Sequence, residues 1–289
     1  MAAIQIAPLP DILIEPIVAM SLAEDLGRAG DVTSACIPAD AKLSLAFVAR
    51  KTGTISGIAC ARLAIAAMDP TARFESLVFD GETVAAGTRL AKVKGNARAL
   101  LAAERTALNL LGRMSGVATL TAAFVAAVEG TGARITDTRK TTPGLRALEK
   151  YAVRCGGGVN HRFGLDDAVL IKDNHVAACG GVGPALAVFK GANAIGHLGH
   201  LMKVEVEVDS LAQLEEALPY RPDVIMLDNF GLDDLRAAVA LAKGVVTLEA
   251  SGGVDLTTVR AIAQTGVDVI SVGALTHSAP VLDIGLDAA

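Results

Sequence analysis

A cluster of basic side chains marks the middle of the chain. Between residues 134 and 172 there are eight Lys or Arg residues and four acidic ones, although the whole chain has 26 basic and 31 acidic residues. The cluster consists of Arg134, Arg139, Lys140, Arg146, Lys150, Arg154, Arg162 and Lys172, with His161 among them. A nucleic-acid-binding protein is usually basic over a whole face, so this local excess predicts a site for a small anion. Arg pairs with carboxylate or phosphate through two parallel hydrogen bonds and Lys supplies a point charge, so the mixture suits a ligand with several anionic groups.

Acidic residues form a second group of candidates. Glu207 and Asp228 lie at the ends of two consecutive apolar runs, VEVEV and VIMLD. Two carboxylates at neighbouring strand ends could hold a hydrated Mg²⁺ beside phosphate oxygens, or the hydroxyl groups of a ribose. Glu205 precedes Glu207 by two residues and shares its side of the strand, so the spacing barely separates them. The alternative for Glu205 is an ion pair buried inside the fold.

Two glycine turns form the third group. Ser251, Gly252 and Gly253 follow one late apolar run, and Gly273 follows the next, within the sequence VGA. Each turn leads into a predicted helix. Backbone N–H groups in such turns, together with a helix N-terminus, bind phosphate in βα folds. Ordinary connections between a strand and a helix are the alternative interpretation.

The elements that must position these residues alternate regularly after residue 134. Strands are predicted over 134–137, 168–172, 203–208, 224–228, 245–249 and 269–272. Helical spacing lies between them, over 144–154, 184–190, 211–218, 232–243 and 256–265. This alternation predicts a parallel sheet, and its six or so βα units suit a barrel that is closed or nearly closed; an open doubly wound sheet is the alternative.

In such barrels the functional residues collect at the C-terminal ends of the strands. Arg139, Lys140 and Lys172 follow predicted strand ends, which favours a functional role. His161 and Arg162 lie together in a glycine-rich loop and are interpreted in the same way. Two further basic residues, Lys150 and Arg154, belong to a predicted helix, so we interpret them as a solvated charged face.

The first part of the chain has a different pattern. Residues 11–27 have helical apolar spacing that closes on Gly27, and residues 42–95 form short alternating runs that predict a small antiparallel sheet with one helical insert. Residues 100–129 then form a long apolar helical region. We expect Gly112 and Gly116 to break it into two helices, which places a domain boundary near residue 116.

Composition narrows the class of protein. Hydrophobic residues make up 52% of the chain but aromatics only 3%, with no Trp, which argues against an aromatic platform for nucleic acid and favours small helices packed on parallel strands. Four cysteines without a CxxC spacing are interpreted as reduced thiols. The N-terminus lacks the basic region of a secretory signal, and no uncharged stretch reaches the ~18 apolar residues of a membrane span. We therefore expect a cytoplasmic protein that binds neither membrane nor nucleic acid.

Several stretches together resemble the quinolinate phosphoribosyltransferases, the decarboxylating enzymes of NAD synthesis, over nearly the whole chain. The stretches are EDLGRAGDVT, ERTALNLLGRMSGVAT, DTRKTTPGLRALEKYAVRCGGGVNHR, GLDDAVLIKDNH, VEVEVDS, IMLDN, EASGG and VGALTHS. The resemblance implies an N-terminal α/β sandwich, residues 1–116, and an incomplete α/β barrel of the TIM-barrel type, residues 117–279, with residues 280–289 packing back on the first domain. It also implies a homodimer, or a higher oligomer of dimers, in which one N-terminal domain covers the barrel mouth of the other subunit.

The reaction that the resemblance implies joins quinolinate to phosphoribosyl pyrophosphate and yields nicotinate mononucleotide, pyrophosphate and CO₂. The residues similar to the family's quinolinate clamp are Arg139, His161, Arg162 and Lys172, with Arg105 of the partner subunit. Those similar to its phosphoribosyl pyrophosphate site are Lys140, Glu207, Asp228, Ser251, Gly252, Gly253, Gly273 and His277. Lys140, Lys172, Glu207 and Asp228 match its catalytic set, and Glu207 and Asp228 match its Mg²⁺ carboxylates.

Two other functions remain open at this point. A relative associated with molybdate uptake operons is similar in fold and in the RKT and HR motifs, but the intact KDNH and EVEVDS stretches argue against it. A non-catalytic phosphosugar-binding or carrier protein is disfavoured because both the basic and the acidic sets are complete. The segment from Gly191 to Met202 lies away from the motifs and is interpreted as a variable loop and helix end.

Overall fold

The structure is a computed structural model that describes residues 6–189 and 199–289. Most of the segment interpreted as a variable loop and helix end, 191–202, lies outside the described residues. Its last part, 199–202, forms a turn closed by a hydrogen bond from the Met202 N–H to the carbonyl of Gly199.

The strands and helices follow one another along the chain. The strands are β1 (Lys42–Ala49), β2 (Gly53–Thr54), β3 (Arg73–Ser76), β4 (Thr83–Val84), β5 (Arg89–Asn96), β6 (Arg134–Thr136), β7 (Val169–Ile171), β8 (Val204–Val208), β9 (Val224–Asp228), β10 (Thr247–Ser251), β11 (Val269–Ser271) and β12 (Ile284–Ala288). The α-helices are α1 (Asp11–Leu26), α2 (Ile58–Met68), α3 (Ala97–Ala127), α4 (Arg146–Cys155), α5 (Asp173–Cys179), α6 (Val182–Ala187), α7 (Leu211–Ala217), α8 (Leu232–Ala242), α9 (Val259–Ala263) and α10 (Ala274–His277). Short 3₁₀ turns lie at Thr33–Cys36 and Leu218–Tyr220.

Packing divides the chain into two units. The first unit contains the residues up to Ala122, together with Thr141–Gly157 and Leu275–Ala289, and the second contains Ala123–Lys140 and Gly158–Ala274. The boundary predicted near residue 116 lies within α3, and the division into residues 1–116 and 117–279 stays a prediction.

The second unit holds the parallel sheet. Within the described residues its six strands have the order β6-β11-β10-β9-β8-β7, and every strand pair is parallel. The sheet stays open because β6 and β7 lie at its two ends and pair with different neighbours. Its strands are short runs of β-branched and aliphatic residues that are buried, as parallel strands covered by helices require. The predicted incomplete α/β barrel is confirmed.

One strand of this sheet is displaced from its predicted position. The sequence predicts a strand over 245–249, whereas β10 spans Thr247–Ser251. Gly244, with φ +82°, ends the preceding helix in a turn that continues through Val245, whose exposed fraction is 67%. The displacement places Glu249 in the middle of β10, where it is buried, rather than at the strand end.

The first unit is built on an antiparallel sheet. Among the described residues the four strands have the order β12-β1-β5-β3, and β12 pairs with β1 from Leu45 opposite Ala288 to Ala49 opposite Ile284. The helix predicted over residues 11–27 is confirmed as α1, which buries Ile14, Ile17, Val18 and Leu22 and ends at Gly27 with φ +54°. An antiparallel sheet with helices packed against it confirms the predicted α/β sandwich.

The long helix of the first unit corrects one expectation. Gly112 and Gly116 do not break it, because α3 runs without interruption for 31 residues. A Cβ atom at Gly116 would overlap the carbonyl oxygen of Pro280, and one at Gly112 would lie 2.9 Å from the carbonyl of Leu282. The two glycines therefore allow the returning chain at residues 280–282 to approach the helix closely. By length and hydropathy α3 could cross a membrane, but 56% of its most apolar window is buried inside the protein, as in a core helix.

A second correction concerns α4. This helix was predicted as one of the barrel helices, but it packs in the first unit. There the Tyr151 hydroxyl donates a hydrogen bond to Asp80 at 2.9 Å. Lys150 is buried, with an exposed fraction of 1%, and the Arg154 guanidinium lies 5.4 Å from the centre of the Tyr151 ring. The prediction that Lys150 and Arg154 form a solvated charged face is therefore wrong for Lys150. It is only partly right for Arg154, whose side chain is partly exposed.

We predict that Gly116→Ala lowers the free energy of unfolding although alanine is the better helix former. The added methyl group has to displace the backbone at Pro280, and overpacking of this kind costs roughly 1–3 kcal/mol. Urea unfolding followed by circular dichroism measures the change. Asn109→Ala, at an exposed position of the same helix, is the control and should leave stability within about 0.5 kcal/mol. Equal stability of the Gly116→Ala variant and the native chain would contradict the close approach.

Candidate active site

Two arginines of the second unit form the cationic part of the site. Arg139 follows β6, and Arg162 lies in the loop that precedes β7. Burial lowers the pKa of Arg162, and the neighbouring Arg139 guanidinium lowers it further because the two positive charges repel. The Nε atoms of both arginines are buried and have no hydrogen-bond partner among the described residues. Two like charges held together with unused donors are suited to an anion that carries more than one oxygen acceptor.

The loop that carries Arg162 is fixed to the end of β6. Asp137 is fully buried there, and its carboxylate accepts hydrogen bonds from the backbone N–H of His161 (3.0 Å) and from Asn160 Nδ2 (2.5 Å). The Arg162 guanidinium donates from Nη1 to the carbonyl of Ala168 at 3.0 Å. The loop and its arginine are therefore tied to the sheet at one end and to the start of the next strand at the other.

The His161 ring lies among carboxylates from two strands. Its Nε2 is 3.0 Å from Glu205 Oε2 on β8 and 3.7 Å from Glu249 Oε1 on β10, and 10% of the side chain is exposed. Burial, and then the charge of Glu205, raises the pKa of Glu249 to about 7. The alternative interpretation of Glu205, a buried ion pair, is right about burial, since its exposed fraction is 6%, and its partner is the His161 ring. Glu249 was predicted at a strand end but was given no role, because its approach to His161 joins residues far apart in the sequence.

The acidic part of the site involves the next strand ends. Lys172 Nζ, directly after β7, lies 3.5 Å from Glu207 Oε2 on β8, and about half of the lysine side chain is exposed. Burial raises the pKa of Glu207, the Lys172 charge opposes this, and the charges of Asp228 and Asp173 add to it. Glu207 and Asp228 are thus close enough to repel each other, while Glu205 points to His161. The structure separates two glutamates that the sequence barely distinguished.

A glycine turn follows β10 and lies against the end of β9. Ser251 pairs with Asp228 in the sheet, and the Asn229 N–H donates to the Ser251 carbonyl at 2.9 Å. Asn229 has φ +57° and donates from Nδ2 to the Asp228 carboxylate at 2.7 Å. Gly252 has φ +99°, and a Cβ atom there would overlap Asn229 Oδ1, whereas Gly253 has φ +59° with open space around it. Only glycine fits position 252, so the turn brings backbone rather than side chains to the sheet edge.

The second unit thus contains most of the residues predicted for the site. These are Arg139, Lys140, His161, Arg162, Lys172, Glu207, Asp228, Ser251, Gly252, Gly253 and Gly273. They belong to the C-terminal ends of parallel strands or to the loops that follow, where barrel enzymes carry their active sites. Lys140 is exposed, and its N–H donates to Thr138 Oγ1 at 3.0 Å. Two predicted residues belong to the first unit: Arg105 is exposed on α3, and exposed His277 has Nδ1 2.6 Å from Ser278 Oγ.

Comparison with known families covers both parts of the chain. The family described as quinolinate phosphoribosyl transferase, C-terminal domain, matches residues 117–287, and its N-terminal domain matches residues 31–115. The chain belongs to the quinolinate phosphoribosyltransferase family. The resemblance noted from the motifs is therefore confirmed.

Individual family members are similar over nearly their whole length. A protein of Mycobacterium leprae strain TN, named nicotinate-nucleotide pyrophosphorylase (carboxylating), is 48% identical over 273 residues, which cover 92% of this chain and 94% of that one. A Nicotiana tabacum relative named quinolinate phosphoribosyltransferase (decarboxylating) 2a, mitochondrial, is 44% identical over 94% of this chain and 81% of its own. The solved structure of the nicotinate-nucleotide pyrophosphorylase from Francisella tularensis has a TM-score of 0.90 and 40% identity, covering 98% of both chains.

We predict that Gly252→Ala destabilises this phosphoribosyltransferase more than Gly253→Ala does. Both positions have a positive φ, which costs a residue with a Cβ atom roughly 1–2 kcal/mol. Only position 252 adds an overlap with Asn229, so its variant should lose at least about 1 kcal/mol more. Urea unfolding of the two variants gives the comparison. Equal losses would mean that the turn relaxes freely and that Asn229 does not restrict it.

Proposed function

We propose that the protein transfers the phosphoribosyl group of phosphoribosyl pyrophosphate to the ring nitrogen of quinolinate with decarboxylation, giving nicotinate mononucleotide, pyrophosphate and CO₂. The observation that carries the proposal is the Arg139 and Arg162 pair, with its two unused buried Nε donors, in a chain of this family. Quinolinate is a planar molecule with two adjacent carboxylates, and two forked guanidinium groups match such an anion. The step belongs to NAD synthesis.

The chemistry requires positioning and charge stabilisation more than covalent catalysis. As the bond between the ribose C1 and the pyrophosphate oxygen breaks, positive charge develops on the sugar, and the pyridine nitrogen attacks that carbon. In our proposal Lys140 and Lys172 neutralise the departing pyrophosphate and the edge of quinolinate, and Glu207 and Asp228 lie beside the ribose. The glycine turns at 251–253 and 273, with His277, bind the 5′-phosphate.

Decarboxylation follows from the same bond formation. Once the ring nitrogen carries the sugar it is positively charged, so the ring can accept the electron pair that remains on C2 when the C2–carboxylate bond breaks. CO₂ leaves and a proton takes its place at C2. Arg139 and Arg162 would hold the two carboxylates, with His161 in the loop that presents Arg162, and the surrounding protein needs to provide no further electron acceptor.

We propose that Mg²⁺ assists at Glu207 and Asp228. Burial and, to a lesser extent, the charge of Asp228 raise the pKa of Glu207, and the Lys172 ammonium opposes this rise only in part. Glu207 and Asp228 would hold such a cation, because Mg²⁺ usually keeps several waters and takes few protein ligands, most of them carboxylates. Its charge would neutralise the pyrophosphate as that group leaves.

The assay of this proposal uses the purified chain with quinolinate, phosphoribosyl pyrophosphate and Mg²⁺. We expect nicotinate mononucleotide and CO₂ in equal amounts, loss of activity when a chelator removes the metal, and recovery when Mg²⁺ is restored. Lys172→Met should lower kcat/KM by a factor of about 10² or more, because it removes a charge from the reacting region.

Other outcomes of the assay would decide between the functions considered above. Absence of product would reject the proposed enzyme and favour a phosphosugar-binding protein or the molybdate-operon relative. Equal activity on nicotinate, which lacks the carboxylate next to the nitrogen, would show that the two arginines do not select a dicarboxylate. Binding of phosphoribosyl pyrophosphate without turnover would favour the non-catalytic role.

We further propose a homodimer in which Arg105 of the partner subunit completes the quinolinate clamp. Arg105 is exposed on α3 and faces outward from the first unit. An exposed arginine on a largely apolar helix is suited to reach a neighbouring subunit. We also propose a cytoplasmic location; some plant relatives carry names that place them in mitochondria.

Subunit mixing tests the shared site. Arg105→Ala and Lys172→Met subunits, each inactive alone, should regain activity when they are mixed and allowed to exchange, because one of the two sites in a mixed dimer would contain both native residues. We expect at most about a quarter of native activity, since random pairing gives half mixed dimers with one intact site each. The control mixes Arg105→Ala subunits with native subunits that carry a different tag. Exchange without recovered activity would count against the role of Arg105 across the dimer.

A further inference from the structure

We propose that Glu205 is a positioning residue that acts through His161, holding the imidazole in its Nε2–H tautomer and thereby fixing the loop that presents Arg162. Glu249 is a second, more distant acceptor in the same arrangement. The consequence for catalysis rests on the proposed function, since it assumes that Arg162 binds a substrate carboxylate. The tautomer itself does not depend on that assumption.

The tautomer follows from the partners of the two ring nitrogens. The backbone N–H of Arg162 donates to His161 Nδ1 at 2.8 Å, which requires a lone pair on Nδ1. The hydrogen of the neutral ring must then lie on Nε2, where Glu205 Oε2 accepts it at 3.0 Å. Rotating the ring by half a turn would place carbon atoms at both of these positions. The observed orientation is therefore the one that satisfies both contacts.

The same contacts argue against a metal ion at this cluster. One ligand atom each from His161, Glu205 and Glu249 lies within 4.8 Å of the others, and Glu205 Oε1 and Glu249 Oε1 have no hydrogen-bond partner among the described residues. A metal ion on Nε2 would force the ring hydrogen onto Nδ1, where a metal-bound histidine normally donates to an acceptor. Here Nδ1 faces the Arg162 N–H, so two donors would point at each other. The cluster is built for hydrogen bonding.

The imidazole ring connects the sheet to the loop through one contact on each side. Glu205 on β8 holds one side of the imidazole, and the backbone at Arg162 lies on the other side. Asp137 at the end of β6 holds the His161 backbone of the same loop. If Glu205 is removed, Glu249 lies 3.7 Å from Nε2, which is beyond a good hydrogen bond. The ring is then held less firmly, and the backbone that presents Arg162 loses part of its support.

The first experiment measures the tautomer directly. The full-length chain is labelled with ¹⁵N-histidine, and the signal of His161, one of five histidines, is assigned by comparison with His161→Gln. We expect an unprotonated Nδ1 and a protonated Nε2 at neutral pH. The opposite tautomer, a doubly protonated ring, or a stoichiometric transition metal in the purified protein would each overturn the proposal. This measurement stands even if the chain has no transferase activity.

The second experiment separates positioning from a general loss of structure. Glu205→Leu removes the acceptor, whereas Glu205→Gln keeps an oxygen that can accept from Nε2 and serves as the conservative rescue. We expect Glu205→Leu to raise the KM for quinolinate about tenfold, roughly the loss of one buried hydrogen bond, with the KM for phosphoribosyl pyrophosphate changed less than twofold. Glu205→Gln should restore the native KM and the native tautomer. Glu215→Gln, at an exposed position of α7, is the matched control.

Two results of the second experiment would contradict the positioning role of Glu205. Equal increases in both KM values, or a failure of Glu205→Gln to rescue an otherwise folded protein, would overturn the positioning role. If Glu205→Leu does not fold, Glu205→Gln and the tautomer of the native chain still decide the matter. If the native chain shows no turnover at all, the proposed function fails, and the tautomer measurement alone judges the arrangement of Glu205, His161 and Arg162.

Discussion

Repulsion between like charges is the constraint on which the site depends. The scaffold brings Arg139 close enough to Arg162 to lower its pKa, and it brings Asp228 close enough to Glu207 to raise that pKa. Neither arrangement would persist on flexible segments, because each pair would separate in water. Both persist because Glu207 and Asp228 lie in parallel strands paired side by side, and because the loop of Arg162 is held to the end of β6 through Asp137. The repulsion is stored in the protein and is relieved when ligands of opposite charge bind.

The positions of the strands were largely predictable because each is a short apolar run between turn residues. The predicted ends of β8 and β9 carry Glu207 and Asp228 at the sheet edge, as the structure places them. Prediction failed where local sequence was ambiguous: the two valines before β10 look like strand residues, yet Val245 lies in an exposed turn. That shift of two residues moved Glu249 from a predicted strand end into the strand, where it is buried.

Other features could not be read from the sequence because they depend on contacts between distant residues. A glycine lowers helix propensity, so Gly112 and Gly116 look like helix breaks in the sequence. In the structure they let the chain at 280–282 approach the helix closely. The roles of Glu205 and Glu207 look alike at a spacing of two, and only the position of His161 separates them. The motifs identified the family. The placement of Glu205 and Glu249 beside His161 could be seen only in the structure.

The pairing of β12 with β1 has a consequence for how the protein is made. Residues 284–288, which are synthesised after every strand of the parallel sheet, form an edge strand of the first unit's sheet, and Asp287 pairs with Arg50 beside β1. Until these residues leave the ribosome, the outer edge of β1 has no partner strand, although β5 can already pair with its other side. The strands of the parallel sheet are complete earlier in synthesis. Of the two units, the one whose strands begin first in the chain is therefore completed after the other, and its exposed strand edge needs protection during that interval.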